Sequence, residues 1–135
     1  MNEHSYIRSV HRKLPSDIHA WKINANFSNG VADAWYSGSG GDAWVEYKYI
    51  SRVPVRTFTP GLSALQRSWL KGRASEGRCV SVIVACPEGS AILTEPEEWE
   101  NKVKAPKKWL TVQEVVQWIV QHTLYTSISA GQMTA

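Results

Sequence analysis

Asp33, Glu46 and Lys48 are the residues of this chain whose types and spacing could carry chemistry. Side chains in a strand point alternately to opposite faces. In Ala43-Trp44-Val45-Glu46-Tyr47-Lys48-Tyr49-Ile50, Glu46 and Lys48 therefore share one face, and Val45, Tyr47 and Tyr49 the other. Asp33 stands between Ala32 and Ala34, two small neighbours that leave room around it. Two carboxylates and a lysine can thus converge across one strand pair. Carboxylates a few ångströms apart cannot both ionise cheaply without a cation. An oxygen-ligated divalent ion such as Mg²⁺ removes that conflict, and such an ion activates water as a nucleophile at neutral pH. Lys48 beside it could hold that water or a phosphate oxygen. The same spacing also occurs in ordinary hairpins as a cross-strand ion pair on a solvated face, so the trio by itself leaves both readings open.

The elements that must position these residues read as one mixed α/β domain over residues 1–125, with a frayed tail at 126–135. Tyr6, Ile7, Val10 and Leu14 have helical spacing from Asn2 to about Lys13, and Pro15 ends that helix. A short strand begins at Trp21-Lys22-Ile23 and closes at the turn Ser28-Asn29-Gly30. Val31 to Tyr36 and Ala43 to Ile50 read as two strands joined by a flexible loop, Ser37 to Asp42, rather than by a tight two-residue turn. Ser51 to Phe58 is basic, carries Pro54 and reads as an irregular excursion. Thr59-Pro60 is expected to open a helix over 60–76, with Leu62, Leu65, Trp69 and Leu70 as its apolar stripe and Gly77 at its end. Cys79 to Ala85 has the composition of a strand buried on both faces. Ala91 to Thr94 suggests a further short strand, and Glu95 to Lys108 a surface connection. Thr111 with Glu114 forms a capping box ahead of the stripe Val112, Val115, Val116, Ile119 and Val120. The result is an αβββαβ core, a mixed central sheet flanked by helices, plus a C-terminal helix.

Composition narrows the class. The chain has 135 residues, 43% of them hydrophobic, which is the content of a folded domain. No apolar run approaches the roughly 20 residues of a membrane span, and Met1-Asn2-Glu3-His4 does not begin a signal peptide. We therefore expect a cytoplasmic protein of a bacterium or a phage-infected cell, with no membrane partner. Fifteen Lys and Arg against twelve Asp and Glu give a formal charge of +3 and a pI near 9.0, compatible with a polyanionic partner. Cys79 and Cys86 bracket one strand and would lie about 20 Å or more apart, beyond disulfide reach. The four His have no metal-ligand spacing, and His11 and His19 are given no role.

Taken together and in order, Gly30-Val31-Ala32-Asp33-Ala34-Trp35, Trp44-Val45-Glu46-Tyr47-Lys48, Leu62 to Leu70 and Gly77-Arg78-Cys79-Val80 resemble the PD-(D/E)XK nuclease superfamily. Its small standalone VRR-NUC-type and phage-type, junction-resolvase-like members look most similar. The resemblance covers about residues 3 to 85. One departure is that Ala32 stands where the family usually has Pro, a change to the backbone rather than to a ligand. The resemblance implies a restriction-endonuclease-like domain and a Mg²⁺-dependent DNA endonuclease, with Mn²⁺ as a substitute. It implies Asp33, Glu46, the Tyr47 carbonyl and Glu3 as metal ligands. Lys48 would position the attacking water and stabilise phosphate charge, and Gln66 would support the lysine or the water. Glu3 also suits a helix N-terminus without any metal.

For the DNA surface the basic residues Arg8, Arg12 and Lys13 on the first helix and Arg52 and Arg56 after the strand are candidates. Lys102, Lys104, Lys107 and Lys108 form a further cluster. Small members that resemble this chain are commonly homodimers selective for branched DNA. Some of Trp35, Trp44, Tyr47 and Tyr49 are expected near the sheet edge, as apolar area for such an interface. The competing reading is an inactive nuclease-fold protein that binds DNA, or inhibits or recruits another enzyme.

Overall fold

The computed structural model describes residues 1–23 and 30–124. In chain order the elements are α1 (Glu3–Arg12), β1 (His19–Lys22), β2 (Ala34–Gly38), β3 (Gly41–Tyr49), β4 (Thr57–Phe58), α2 (Ala64–Ser75), β5 (Val80–Cys86), β6 (Gly89–Leu93), α3 (Pro96–Glu100), β7 (Val103–Lys104) and α4 (Val112–Thr123). Five strands form one sheet in the order β1-β2-β3-β5-β6, and β4 pairs with β7. β3 and β5 are parallel, and every other pairing is antiparallel. A parallel pair needs a crossover, and α2 lies on the path that supplies it.

Every residue of β5 is buried, which is why its sequence is almost unbroken Val, Ile, Ala and Ser. Its alternation feeds two cores. Val80, Val82 and Val84 pack with Leu70 of α2 and Trp99 of α3, whereas Ile83 and Ala85 pack with Ile7 of α1 and Ile119 of α4. β3 divides in the same way. Val45 and Tyr47 enter the α1–α4 core, and Trp44 lies against the α2 core, so Glu46 and Lys48 face the α2 side. Under the sheet, Tyr36 and Tyr47 join hydroxyls at 2.7 Å, and His11 Nε2 meets the Tyr36 hydroxyl at 2.8 Å. Burial raises the pKa of both phenols and, with Lys22 as the smaller influence, lowers that of His11. The network therefore stays neutral and ties α1 to β2 and β3.

Three expectations need correction. The Ser37–Asp42 segment is not a flexible loop. Gly38 pairs with Gly41, leaving a two-residue turn at Ser39-Gly40, and the Gly40 N–H donates to the Thr123 carbonyl at 2.8 Å. The glycines serve close packing, since a Cβ on Gly38 would lie 2.4 Å from that same oxygen. The second helix starts at Ala64 with Ser63 as N-cap, not at Thr59-Pro60. Ser63 and Gln66 satisfy each other's backbone donors, which fixes the start one turn later and leaves Leu65 60% exposed instead of in the stripe. Glu95–Lys108 is more than a surface connection, because it holds α3 with Trp99 fully buried, and β7. Of the four aromatics, some of them expected near the edge, Tyr47 is fully buried and Trp35, Trp44 and Tyr49 are half-buried.

Smaller shifts concern strand ends. β1 begins at His19, and Val31 and Ala32 precede β2 rather than belonging to it. Both cysteines are free, one just before β5 and one at its end. The continuation of the first strand beyond Ile23, the Ser28-Asn29 part of its turn and the tail at 126–135 lie outside the described residues.

Packing at Gly38 predicts a measurable cost. Gly38→Ala should lower stability by about 2 kcal/mol, the usual scale of overpacking, in thermal or urea denaturation. Gly72→Ala, on α2 where a Cβ meets nothing within 4 Å, should be neutral or stabilising by about 0.5–1 kcal/mol.

Candidate active site

Asp33 immediately precedes β2 and is held by two hydrogen bonds. Its carbonyl accepts the Ile23 N–H at 2.7 Å, and its carboxylate Oδ2 accepts the Tyr47 N–H at 2.8 Å. Just upstream, Gly30 has φ +78°, and a Cβ there would lie 2.4 Å from the Leu65 carbonyl oxygen. Only glycine lets this turn lie against the first turn of α2. Ala32 and Ala34 are fully buried, so small residues flank Asp33 because the space around them is filled.

Glu46 is the unusual group. It is 2% exposed, yet among the described residues its Oε1 has no hydrogen-bond partner. Its Oε2 accepts from Gln66 Nε2 at 2.9 Å and lies 3.7 Å from Lys48 Nζ. Burial is the main reason its pKa is pushed up to about 8, with the Asp33 charge next and Lys48 opposing. A buried, half-satisfied carboxylate beside a second one is costly for folding. It becomes intelligible where a cation completes it.

Gln66 does two tasks at once. Its Oε1 accepts the Ser63 N–H at 2.9 Å as the second half of the α2 capping box, while its Nε2 holds Glu46. The helix start thereby fixes the carboxylate rotamer. Sequence reasoning missed Ser63, although Ser63-x-x-Gln66 is a capping-box signature. Glu3, in the first turn of α1, also reaches this cluster. Its pKa is raised first by burial and then by Asp33, while Lys48 and Lys22 act against the shift.

Glu3, Asp33, Glu46, Lys48 and Gln66 thus come together around one end of β2 and β3. The basic candidates behave differently. Arg8, Arg12, Lys13, Arg52 and Arg56 are all exposed, and among the described residues none forms an ion pair. Such unpaired surface cations are available to a polyanion.

Whether a metal fits can be judged from the donors. Among the described residues no three His, Cys, Asp or Glu side chains stand close enough to form a metal cage. Two hard carboxylates with water in the remaining positions are, however, the usual setting of Mg²⁺. The orphaned Glu46 Oε1 is the free donor such an ion would take. The residues fit.

A five-stranded mixed sheet with helices on both faces is a restriction-endonuclease-like architecture. No family model and no curated protein matches the sequence. Among solved structures, the chain is similar to a Holliday junction resolvase, Hjc, from the archaeal hyperthermophile Archaeoglobus fulgidus. The TM-score is 0.54 at 14% identity, over 86% of this chain and 97% of the other. At that identity the likeness shows a common fold. Among the described residues no helix is long and apolar enough to cross a membrane.

Proposed function

We propose that this chain is a divalent-metal-dependent DNA endonuclease of PD-(D/E)XK type that acts on branched DNA. The observation that carries the reading is Glu46, buried with an unsatisfied oxygen against Asp33 and Lys48 on a resolvase-like fold. A bound divalent ion would neutralise the carboxylate pair and activate a water for attack on phosphorus. The chain's own residues do the rest. Asp33, locked by the Tyr47 N–H, and Glu46, locked by Gln66, are preset at fixed positions. The resemblance would add the Tyr47 carbonyl as a third oxygen donor and Glu3 as a more distant one, since Glu3 does not close a three-carboxylate cage with Asp33 and Glu46. Lys48, a quarter exposed beside Glu46, carries positive charge towards the phosphate on which negative charge develops. Arg52 and Arg56 follow β3 and would take the backbone next to the cut.

Cutting both strands of a branched molecule needs two sites at fixed spacing, and a twofold dimer is the simplest way to obtain them. Plasmid nicking tests the activity. Mg²⁺ or Mn²⁺ should support nicking and EDTA should abolish it. Ca²⁺ should support binding with little turnover, because its longer, looser bonds do not hold the reacting water in line. Nicking at full rate in EDTA would defeat the metal mechanism. DNA binding with no nicking in any metal would favour an inactive recruiting or inhibiting module.

A further inference from the structure

Trp44 lies two residues before Glu46 on the same face of β3, and it belongs to a row. Cross-strand register places Trp35 opposite Trp44, and Trp21 opposite Trp35. The ring centroids are 5.5 Å apart for Trp21–Trp35, 5.8 Å for the stacked pair Trp35–Trp44, and 5.4 Å for Trp44–Trp69 of α2. The Arg73 guanidinium continues the line, 5.6 Å over the Trp69 ring. Four of the chain's seven tryptophans are spent here.

Trp44 and Trp69 pack on the α2 core, yet no ring of the row is fully buried. Trp21 is 63% exposed, and Trp35, Trp44 and Trp69 are half-buried. Trp35, Trp44 and Trp69 border an open groove of about 280 Å³ whose other walls are Asp42, Arg73 and Arg78, and Trp21 extends the row beyond it through Trp35. Asp42 is already engaged. Its Oδ2 accepts the Trp35 indole N–H at 3.2 Å and its Oδ1 the Ser37 hydroxyl at 2.7 Å, which fixes the plane of the Trp35 ring. Both guanidiniums share Glu76, at 3.1 Å and 3.8 Å. These are exposed pairs of the kind worth little, so a phosphate can displace them.

Bases paired inside a duplex keep their faces stacked on one another, whereas unpaired bases offer theirs to aromatic side chains. The row runs across the sheet to within two residues of Glu46. We propose that Trp21, Trp35, Trp44 and Trp69 form a stacking platform for an unpaired DNA strand, with Arg73 and Arg78 on its phosphates. The strand would lead the branch point to Asp33, Glu46 and Lys48. The proposal rests on the DNA reading above. Indole faces beside two weakly held guanidiniums match the bases and the phosphates of one strand together, which favours a DNA strand over a second copy of this chain as the occupant.

The test is binding of labelled oligonucleotides with Ca²⁺ and no Mg²⁺, comparing oligo-dT, a duplex with a single-stranded tail, and a blunt duplex. Wild type should bind the tailed duplex at least tenfold more tightly than the blunt one, and oligo-dT should quench tryptophan fluorescence. Trp21→Ala with Trp35→Ala should lose about tenfold or more on tailed DNA, the scale of one lost base–aromatic stack. Trp35→Phe should retain most of the preference. Trp21→Ala alone, at an exposed site, should lose part of it even if the double variant misfolds. Equal wild-type affinity for tailed and blunt DNA would overturn the platform and leave the DNA reading standing. Loss of binding to every DNA would overturn both. A strand preference that survives the double variant would also overturn it, as would a dimer that Trp21→Ala dissociates without altering strand preference.

Discussion

Lys48→Ala and Asp33→Asn should each lower plasmid nicking by at least about a hundredfold while leaving the circular dichroism spectrum and cooperative melting intact. Removing one preorganised group aimed at developing charge typically costs about 3–4 kcal/mol in the transition state, and metal loss adds to that for Asp33. The fold should tolerate both changes. Lys48 is partly exposed, and its ion pair with Glu46 is a long one, 3.7 Å. Asn at position 33 keeps an oxygen to accept the Tyr47 N–H that bonds Asp33 at 2.8 Å. Wild-type nicking by either variant, with an unchanged spectrum, would remove the active-site assignment.

The part of this site that can be read from sequence is the part that depends on period-two alternation. Glu46 and Lys48 share a face because they are two apart in β3, and no distant contact is needed to say so. Gln66 is reached through resemblance, but its geometry depends on where α2 starts. Two residues there satisfy local start rules. Thr59-Pro60 has the better one-residue signature, yet Ser63-Gln66 satisfies two backbone donors reciprocally and leaves Leu62 free to be buried ahead of the helix. Composition likewise misleads at the hairpin. Glycines read as freedom, whereas Gly38 is there to admit the Thr123 carbonyl from 85 positions away. The tryptophan row has the same character: each indole is an ordinary strand or helix residue, and only register across β1, β2 and β3 aligns them.

Glu46→Gln should stabilise the metal-free protein, and increasingly so as pH rises. The folded-state pKa of Glu46 is pushed up to about 8, first by burial and then by Asp33, against an unfolded value near 4.5. Below about pH 4.5 both states hold the proton and the group has no effect. Between about 4.5 and 8 the unfolded chain releases it while the folded chain keeps it, so stability falls with rising pH. Above about 8 the whole penalty is present. Ionisation of this carboxyl therefore opposes folding at pH 7, chiefly through its burial and secondly through the Asp33 charge. Gln cannot ionise and keeps an oxygen for the Gln66 amide, so it escapes that cost. In EDTA the variant should melt several degrees above wild type at pH 8 and close to it at pH 5. Mg²⁺ should reverse the order, because an ion bound only to the native state stabilises it and the variant has lost the carboxylate that holds the ion. Melting curves at both pH values, with EDTA and with Mg²⁺, read these effects without any cleavage assay. Equal melting temperatures for the two proteins in EDTA at pH 8 would show that Glu46 carries no burial penalty, and an ion that stabilised both equally would have to bind elsewhere.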